Sequence, residues 1–269
     1  MPGSRRNLKA VLEYDGTDFH GFQRQRGLRT VQGVLEERWS RLLGEPIAVV
    51  GAGRTDAGVH AVGQVVSFFT SRPVPTERLR EVLNAALPRD VKVQTCEEVE
   101  PEFHARRSAV SRRYCYRIVE REALSPLLGR YALVAPGRLC EARMAEAAAA
   151  LVGRHDFRAF GRGEVKTTVR TLRSLDCVRQ GDWIGIWVEA DSFLYQMVRR
   201  MVAALVAAGR GELEPEAVAE ALRAGKPPRE ARTPAPACGL CLQQVSYGVG
   251  PERPRSVLDQ VEPIWPKLG

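Results

Sequence analysis

The stretch Gly51-Ala-Gly-Arg-Thr-Asp-Ala-Gly-Val-His60 holds the most unusual chemistry in the chain. Three glycines in eight residues permit positive φ and close backbone approach to a ligand. A dinucleotide fingerprint would need glycine where Asp56 stands. Gly53 and Gly58 have phosphate-loop spacing, but Val59 and His60 follow in place of Lys and Ser/Thr. No nucleotide cofactor is implied. The loop instead presents Arg54 and Asp56 two residues apart, just past an apolar strand-like run. A carboxylate held rigidly among backbone donors can act as nucleophile or base. An Asp beside Gly more often bonds its own turn.

Two further groups bear on that carboxylate. Arg199 sits among Met197, Val198 and Met201, which have the spacing of a buried helix face. A buried arginine needs a partner, and Asp56 would supply one; a solvated helix charge is the plainer alternative. Tyr114 is flanked by Arg112 and Arg113 in a segment, 103–119, that also holds Arg106, Arg107 and Arg117 and has no acidic residue. A second cluster, from Arg158 to Arg173, has five basic residues against Glu164. Net charge is +8, and Lys accounts for five of the 40 basic residues, leaving 35 Arg. Arginine favours planar, bidentate phosphate contacts. Basic charge clustered around aromatics is a nucleic-acid footprint, although a GC-rich coding sequence would also enrich Arg.

Other chemistries are disfavoured. Cys238 and Cys241 have C-x-x-C spacing but no second pair, and they lie in a strand-like run that turns them to opposite faces. His20, His60, His104 and His155 show no ligand spacing. No metal is expected. Apolar residues make up 44% and charged residues 27%, as in ordinary globular proteins. No apolar run approaches the ~18 residues of a membrane span, and Met1 to Arg6 has no apolar stretch behind it. A cytoplasmic protein is expected.

The elements that must position these residues follow from periodicity. Leu8 to Tyr14 reads as a strand. Val31, Val34, Leu35, Trp39, Leu42 and Leu43 mark a helix capped by Thr30 and stopped by Gly44. Strands are predicted over 47–50, 64–69 and 91–95, with a helix over 79–87 capped by Thr76. The order is βαββαβ. Strands over 113–120, 172–178, 183–190 and 239–247, with helices around 144–152, 195–208 and 216–223, repeat that order. The predicted fold is α+β: duplicated ferredoxin-like βαββαβ halves in one long, mainly antiparallel sheet, helices on one face, and a cleft at their junction. The halves span 1–105 and 106–250; a Pro-rich tail, 251–269, would lie along the surface.

Gly53-Arg-Thr-Asp-Ala-Gly-Val-His-Ala61 resembles the catalytic signature of the TruA-type tRNA pseudouridine synthases. Six further segments match that family in order and spacing: Glu13 to Gly16 followed by Gly21 to Gln25, Asn84 to Pro88, Glu102 to Arg106, Arg112-Arg-Tyr114, Phe193 to Arg199, and Gly239-Leu240. The resemblance runs from about Leu8 to Tyr247. It departs at Cys115, where Arg is common, at Cys241, where an aromatic is common, and at Phe22, where Trp is frequent.

The resemblance implies a cofactor-free isomerase that converts uridine to pseudouridine at nucleotides 38 to 40 of tRNA. It implies a homodimer, with tRNA spanning both subunits. Asp56 would be the catalytic residue, paired with Arg199. Tyr114 would stack on the base, Leu240 would pack on its other side, and Arg54 would help extrude it. Whether Asp56 attacks the ribose or base, or removes a sugar proton, stays open. Arg24, Arg26, Arg106, Arg107, Arg112 and Arg113 are the candidate phosphate contacts. A non-catalytic RNA-binding module on the same fold would explain the charge but not the Arg54–Asp56 loop. A methyltransferase would need a methyl-donor loop that the chain lacks.

Overall fold

Thr30 and Gly44 bound the first helix through local chemistry. Thr30 Oγ1 accepts from the Gly33 N–H at 3.2 Å, and Gly44 ends the helix at φ 64°. The computed structural model describes residues 5–122, 126–163 and 166–248; the tail assigned to the surface lies outside them. The chain runs β1 (Arg6–Tyr14), α1 (Val31–Leu43), β2 (Val50–Gly51), β3 (His60–Thr70), α2 (Leu79–Ala85) and β4 (Val91–Val99). It continues through β5 (Ser111–Glu120), β6 (Leu133–Ala135), α3 (Glu141–Ala149), β7 (Gly153–Asp156), β8 (Val169–Gln180), β9 (Trp183–Ala190), α4 (Met197–Gly209), α5 (Glu216–Ala224) and β10 (Leu240–Ser246).

All these strands join one sheet, in the order β4-β1-β3-β10-β5-β9-β8-β7, with β2 also on β3 and β6 also on β5. The fold is α+β and the sheet mainly antiparallel. The first strand set reads β4-β1-β3-β2 and the second β10-β5-β9-β8, the same order twice. In the first set β2 is only two residues long and pairs with Val66 and Ser67. The rest of that β3 edge is open, and β10 occupies it in parallel, pairing Cys241 with His60 and Leu242 with Ala61. The crossing is tight: a Cβ on Gly63 would fall 2.0 Å from the Gln243 carbonyl oxygen.

The registers set Tyr14, Ala61, Leu242, Tyr114, Val188 and Leu175 on successive strands in one row across this junction, and all are buried. On β1, Leu8, Ala10 and Leu12 are buried while Glu13 is exposed, so one face carries the core. Trp39 of α1 packs on Phe68, the rung partner of Leu8, at 4.7 Å between ring centroids. Burying such apolar groups contributes ~1.5–3 kcal/mol each. α3 packs on α4 and β8.

Two expected elements differ. Residues 47–49 form no strand, because side chains of α1 take the bonds a ladder would use. Ser40 Oγ accepts from Ile47 N–H, Glu36 Oε1 accepts from Val49 N–H, and Gln32 donates to the Val49 carbonyl. Thr76 does not cap α2; it opens a 3-10 turn, Thr76–Arg78, and its hydroxyl accepts from Arg6. β6 and β7 were not anticipated; each is four residues or fewer.

Candidate active site at the junction of the two strand sets

The loop between β2 and β3 is fixed by its own carbonyls. Arg112 donates to Ala52 at 2.8 Å, Gln64 to Gly53 at 2.9 Å, the Phe22 N–H to Thr55 at 3.0 Å and the Val59 N–H to Asp56 at 3.1 Å. Tyr14 and Thr55 hydroxyls meet at 2.8 Å. Of the three loop glycines only Gly58 takes a positive φ, 78°; Gly51 is needed for closeness, since a Cβ there would fall 2.4 Å from the Phe22 ring. Rigid support of this kind is what a reacting carboxylate requires.

Asp56 Oδ2 accepts from Arg199 Nη1 at 2.8 Å, joining residues 143 positions apart. Their side chains are 16% and 14% exposed. A charge-assisted bond so shielded is stronger than a surface pair. Asp56 Oδ1 has no partner among the described residues. Arg199 sits in the first turn of α4, and its Nε donates to the Ala235 carbonyl at 2.7 Å, while the Ala235 N–H donates to the Arg199 carbonyl at 3.0 Å. The guanidinium thus holds Asp56 with one arm and the segment leading to β10 with another.

Tyr114 is buried on β5 and its hydroxyl reaches toward Gly53, 3.9 Å from where a Cβ would stand. Burial holds that hydroxyl's pKa well above the ordinary 10, with Tyr14 and the Asp56 carboxylate adding to the effect. Phe193 meets the ring edge-on at 5.2 Å. Leu240 is buried opposite Tyr116, two rungs from the Leu242–Tyr114 pair and on the same face. Arg54 is exposed and makes no hydrogen bond or ion pair among the described residues. Asp56, Arg199, Tyr114 and the Gly53 end of the loop therefore converge, with Leu240 nearby.

The arginines divide. Arg24, Arg26, Arg106 and Arg107 are exposed, and Arg24 pairs with Glu36 at 3.1 Å. Arg112 and Arg113 are placed differently from these four. Arg112 is buried, and its guanidinium donates to the carbonyls of Ala109, Asp191, Ala52 and Arg106. Arg113 points to the opposite face, as strand alternation requires, and stacks over Trp187 at 5.0 Å. Basic charge in a sequence does not say where the donors go. Replacing Arg112 by Met should destabilise the fold by ~3 kcal/mol or more, since it strands several buried carbonyls. Urea unfolding checks this; an unchanged midpoint would mean those bonds contribute nothing.

Sequence reading passed over His60, Asp15, Arg130 and Tyr131, which form a cluster behind the loop: Arg130 and Tyr131 each donate to Asp15 at 2.9 Å. The available signal was a histidine set between apolar residues directly after the loop. Cys238 lies in a 3-10 turn and Cys241 on β10. Among the described residues no group of His, Cys, Asp or Glu is placed to hold a metal ion, and no helix is long and apolar enough to cross a membrane.

Residues 10–106 and 147–248 match the family model described as tRNA pseudouridine synthase. The chain is 39% identical over 244 residues to tRNA pseudouridine synthase A 2 of Clostridium perfringens, covering 90% of this chain and 100% of that one. It is 42% identical over 242 residues to tRNA pseudouridine synthase A of Syntrophotalea carbinolica, covering 89% and 96%. For the enzyme of that name from Geobacter sp. the identity is 41%, covering 90% and 99%. With this likeness along nearly its whole length, and with the motif carboxylate and its arginine in contact, the chain belongs to the tRNA pseudouridine synthase family, isomerases that turn tRNA uridine into pseudouridine.

Proposed function

We propose that the chain acts, as a cytoplasmic homodimer, on uridines 38, 39 and 40 of the tRNA anticodon stem-loop. The Asp56–Arg199 contact carries this reading, because it sets beside Tyr114 a shielded carboxylate with one oxygen free among the described residues. The nucleotide positions and the dimer follow from family resemblance. In this reading residues 1–105 supply Asp56 and residues 106–250 supply Arg199, Tyr114 and Leu240.

Uridine in a stem is stacked and must be flipped out, at a cost of a few kcal/mol. Arg54, exposed and uncommitted among the described residues, can fill the vacated place. Tyr114 and Leu240 enclose the extruded base. The N1–C1′ bond breaks, the uracil turns, and C5 bonds to C1′. The C5 proton leaves to solvent and N1 gains one, so no redox partner is called for. Asp56 Oδ1 is the atom that acts on the sugar or the base.

A stem-loop RNA tritiated at uracil C5 tests the reading, since each turnover frees tritium. Release is expected from RNA with uridine at 38–40 and not from RNA lacking it there. Tight binding without release would instead support an RNA-binding module.

Tyr114→Phe should keep stacking and lose only the hydroxyl, whereas Tyr114→Ala should lose both. Stacking of ~1–3 kcal/mol corresponds to roughly 5- to 150-fold in the single-turnover rate of the Ala variant. Equal impairment of the two variants would remove stacking as the role, and two unimpaired variants would make Tyr114 a core residue.

Arg24, Arg26, Arg106 and Arg107 grip phosphates in this reading. Arg106→Ala should weaken binding to every tRNA and lower the salt slope by ~0.7–0.9. It should not change which uridine reacts, because phosphate contacts do not read bases. Isotherms at several salt concentrations decide; an unchanged slope would place the RNA elsewhere.

A further inference from the structure

His60 lies four residues past Asp56 and opens β3, on the rung paired with Cys241 of β10. It is 6% exposed. Its Nδ1 accepts from the Gly16 N–H at 3.0 Å. That bond needs a lone pair on Nδ1, so the neutral ring carries its proton on Nε2. Nε2 lies 3.1 Å from the Arg130 carbonyl, to which it donates, and the Cys238 backbone is a further partner of the ring. Gly16 abuts the loop: a Cβ there would fall 2.0 Å from the Val59 carbonyl oxygen. Cys238 sits between Ala235, which holds Arg199, and Leu240. One ring therefore grips the chain on both sides of the Asp56–Arg199 pair.

We propose that His60 is a positioning residue for the isomerisation, which as the neutral Nε2–H tautomer holds the Asp56 loop in register with the segment that fixes Arg199. The proposal rests on the catalytic assignment of Asp56 made above. His60 touches no reacting atom; it acts through the backbone.

The charges around the ring set its response to acid. Asp15 Oδ1 lies 3.3 Å from Nδ1. Arg130 and Tyr131 both donate to Asp15, Arg130 also lies 3.7 Å from Asp18, and the Tyr131 ring packs on the imidazole at 5.1 Å. Burial is the largest influence and holds the His60 pKa below its ordinary 6.5; Asp15 opposes this and Arg117 adds to it. A proton on Nδ1 would repel the Gly16 N–H and turn the bond to Asp15. The native geometry uses the neutral ring, so alignment is complete above pH 6.5 and is lost as pH falls through the lowered value.

The test measures single-turnover pseudouridine formation and RNA affinity between about pH 5 and 8. It compares the wild type with His60→Asn, His60→Gln and His60→Phe. Asn keeps an acceptor near Nδ1, and Gln keeps a donor near Nε2. His60→Phe should lose at least about tenfold in rate at neutral pH with affinity within about threefold, the signature of misplacement without lost binding. Asn and Gln should each recover part of the rate. The wild-type rate should fall at the acid end, and His60→Asn should lack that fall. A His60→Phe rate within about twofold of wild type overturns the proposal, because misplacement costs more than that. An equal loss in affinity overturns it too, as does a shared acid profile or a flat wild-type profile. If His60→Phe does not fold, the wild-type and His60→Asn profiles decide. An inactive wild type, or an active Asp56→Asn, would overturn the functional reading beneath it instead.

Discussion

Asp56→Asn is expected to abolish turnover while tRNA binding stays within a few-fold of wild type. The amide is nearly isosteric, and its oxygen can still accept from Arg199, so the loop keeps its shape. What is lost is the negative charge and the basicity of the free oxygen. A fall of at least ~10³-fold in the single-turnover rate is expected, equal to about 4 kcal/mol of barrier. Tritium release from C5-labelled stem-loop, run beside filter binding, separates chemistry from affinity. More than a few per cent of residual rate would remove Asp56 from the reacting centre.

Arg199→Lys is the second large effect. The guanidinium spans two jobs: Nη1 on Asp56 and Nε on the Ala235 carbonyl. A single ammonium cannot fill both positions in the same plane. Losing one charge-assisted bond of ~1.5–3 kcal/mol corresponds to roughly 10- to 150-fold. The loss should fall on rate more than on affinity, because neither contact is made with RNA phosphate. Near-normal kinetics in this variant would mean that Arg199 does not hold Asp56 in place.

Features set by neighbouring residues were legible in the sequence. Thr30 and Gly44 bound α1 as read, because a cap and a left-handed stop are chosen within a few residues. The strands β3, β5, β8 and β9 announced themselves by their periodicity. The doubled βαββαβ order followed from them and reappears in the two strand sets. Features decided by distant partners were not legible. Residues 47–49 look like a strand by composition, yet Gln32, Glu36 and Ser40 occupy their backbone groups. Thr76 looks like a cap, yet Arg6, seventy positions away, claims its hydroxyl. Arg112 looks like a phosphate contact, yet four carbonyls surround it. The Asp56–Arg199 contact was inferred from one apolar helix face and a motif resemblance; the uncommitted Oδ1 and the bond from Arg199 to Ala235 needed coordinates. His60 was passed over because a histidine holding backbone groups leaves no spacing pattern.

The position of β10 gives the enzyme a natural order of assembly. Among the described residues it is the last strand in sequence, yet it lies in the middle of the sheet, between β3 and β5. On a ribosome, β1, β3 and β4 can pair once Val99 has emerged, and β5, β9 and β8 once Ala190 has. Until residues 240–246 arrive, the two blocks share no ladder among the described residues, and the Asp56 carboxylate and Arg199 sit on separate pieces. Closing the sheet brings together residues about 180 positions apart along the chain, the kind of pairing that sets the pace of folding. A half-made chain can thus hold the loop, Arg199 and Tyr114 and still lack the assembled candidate site. On this topology competence is expected only with the strand that bridges the blocks, once synthesis of the sheet is complete.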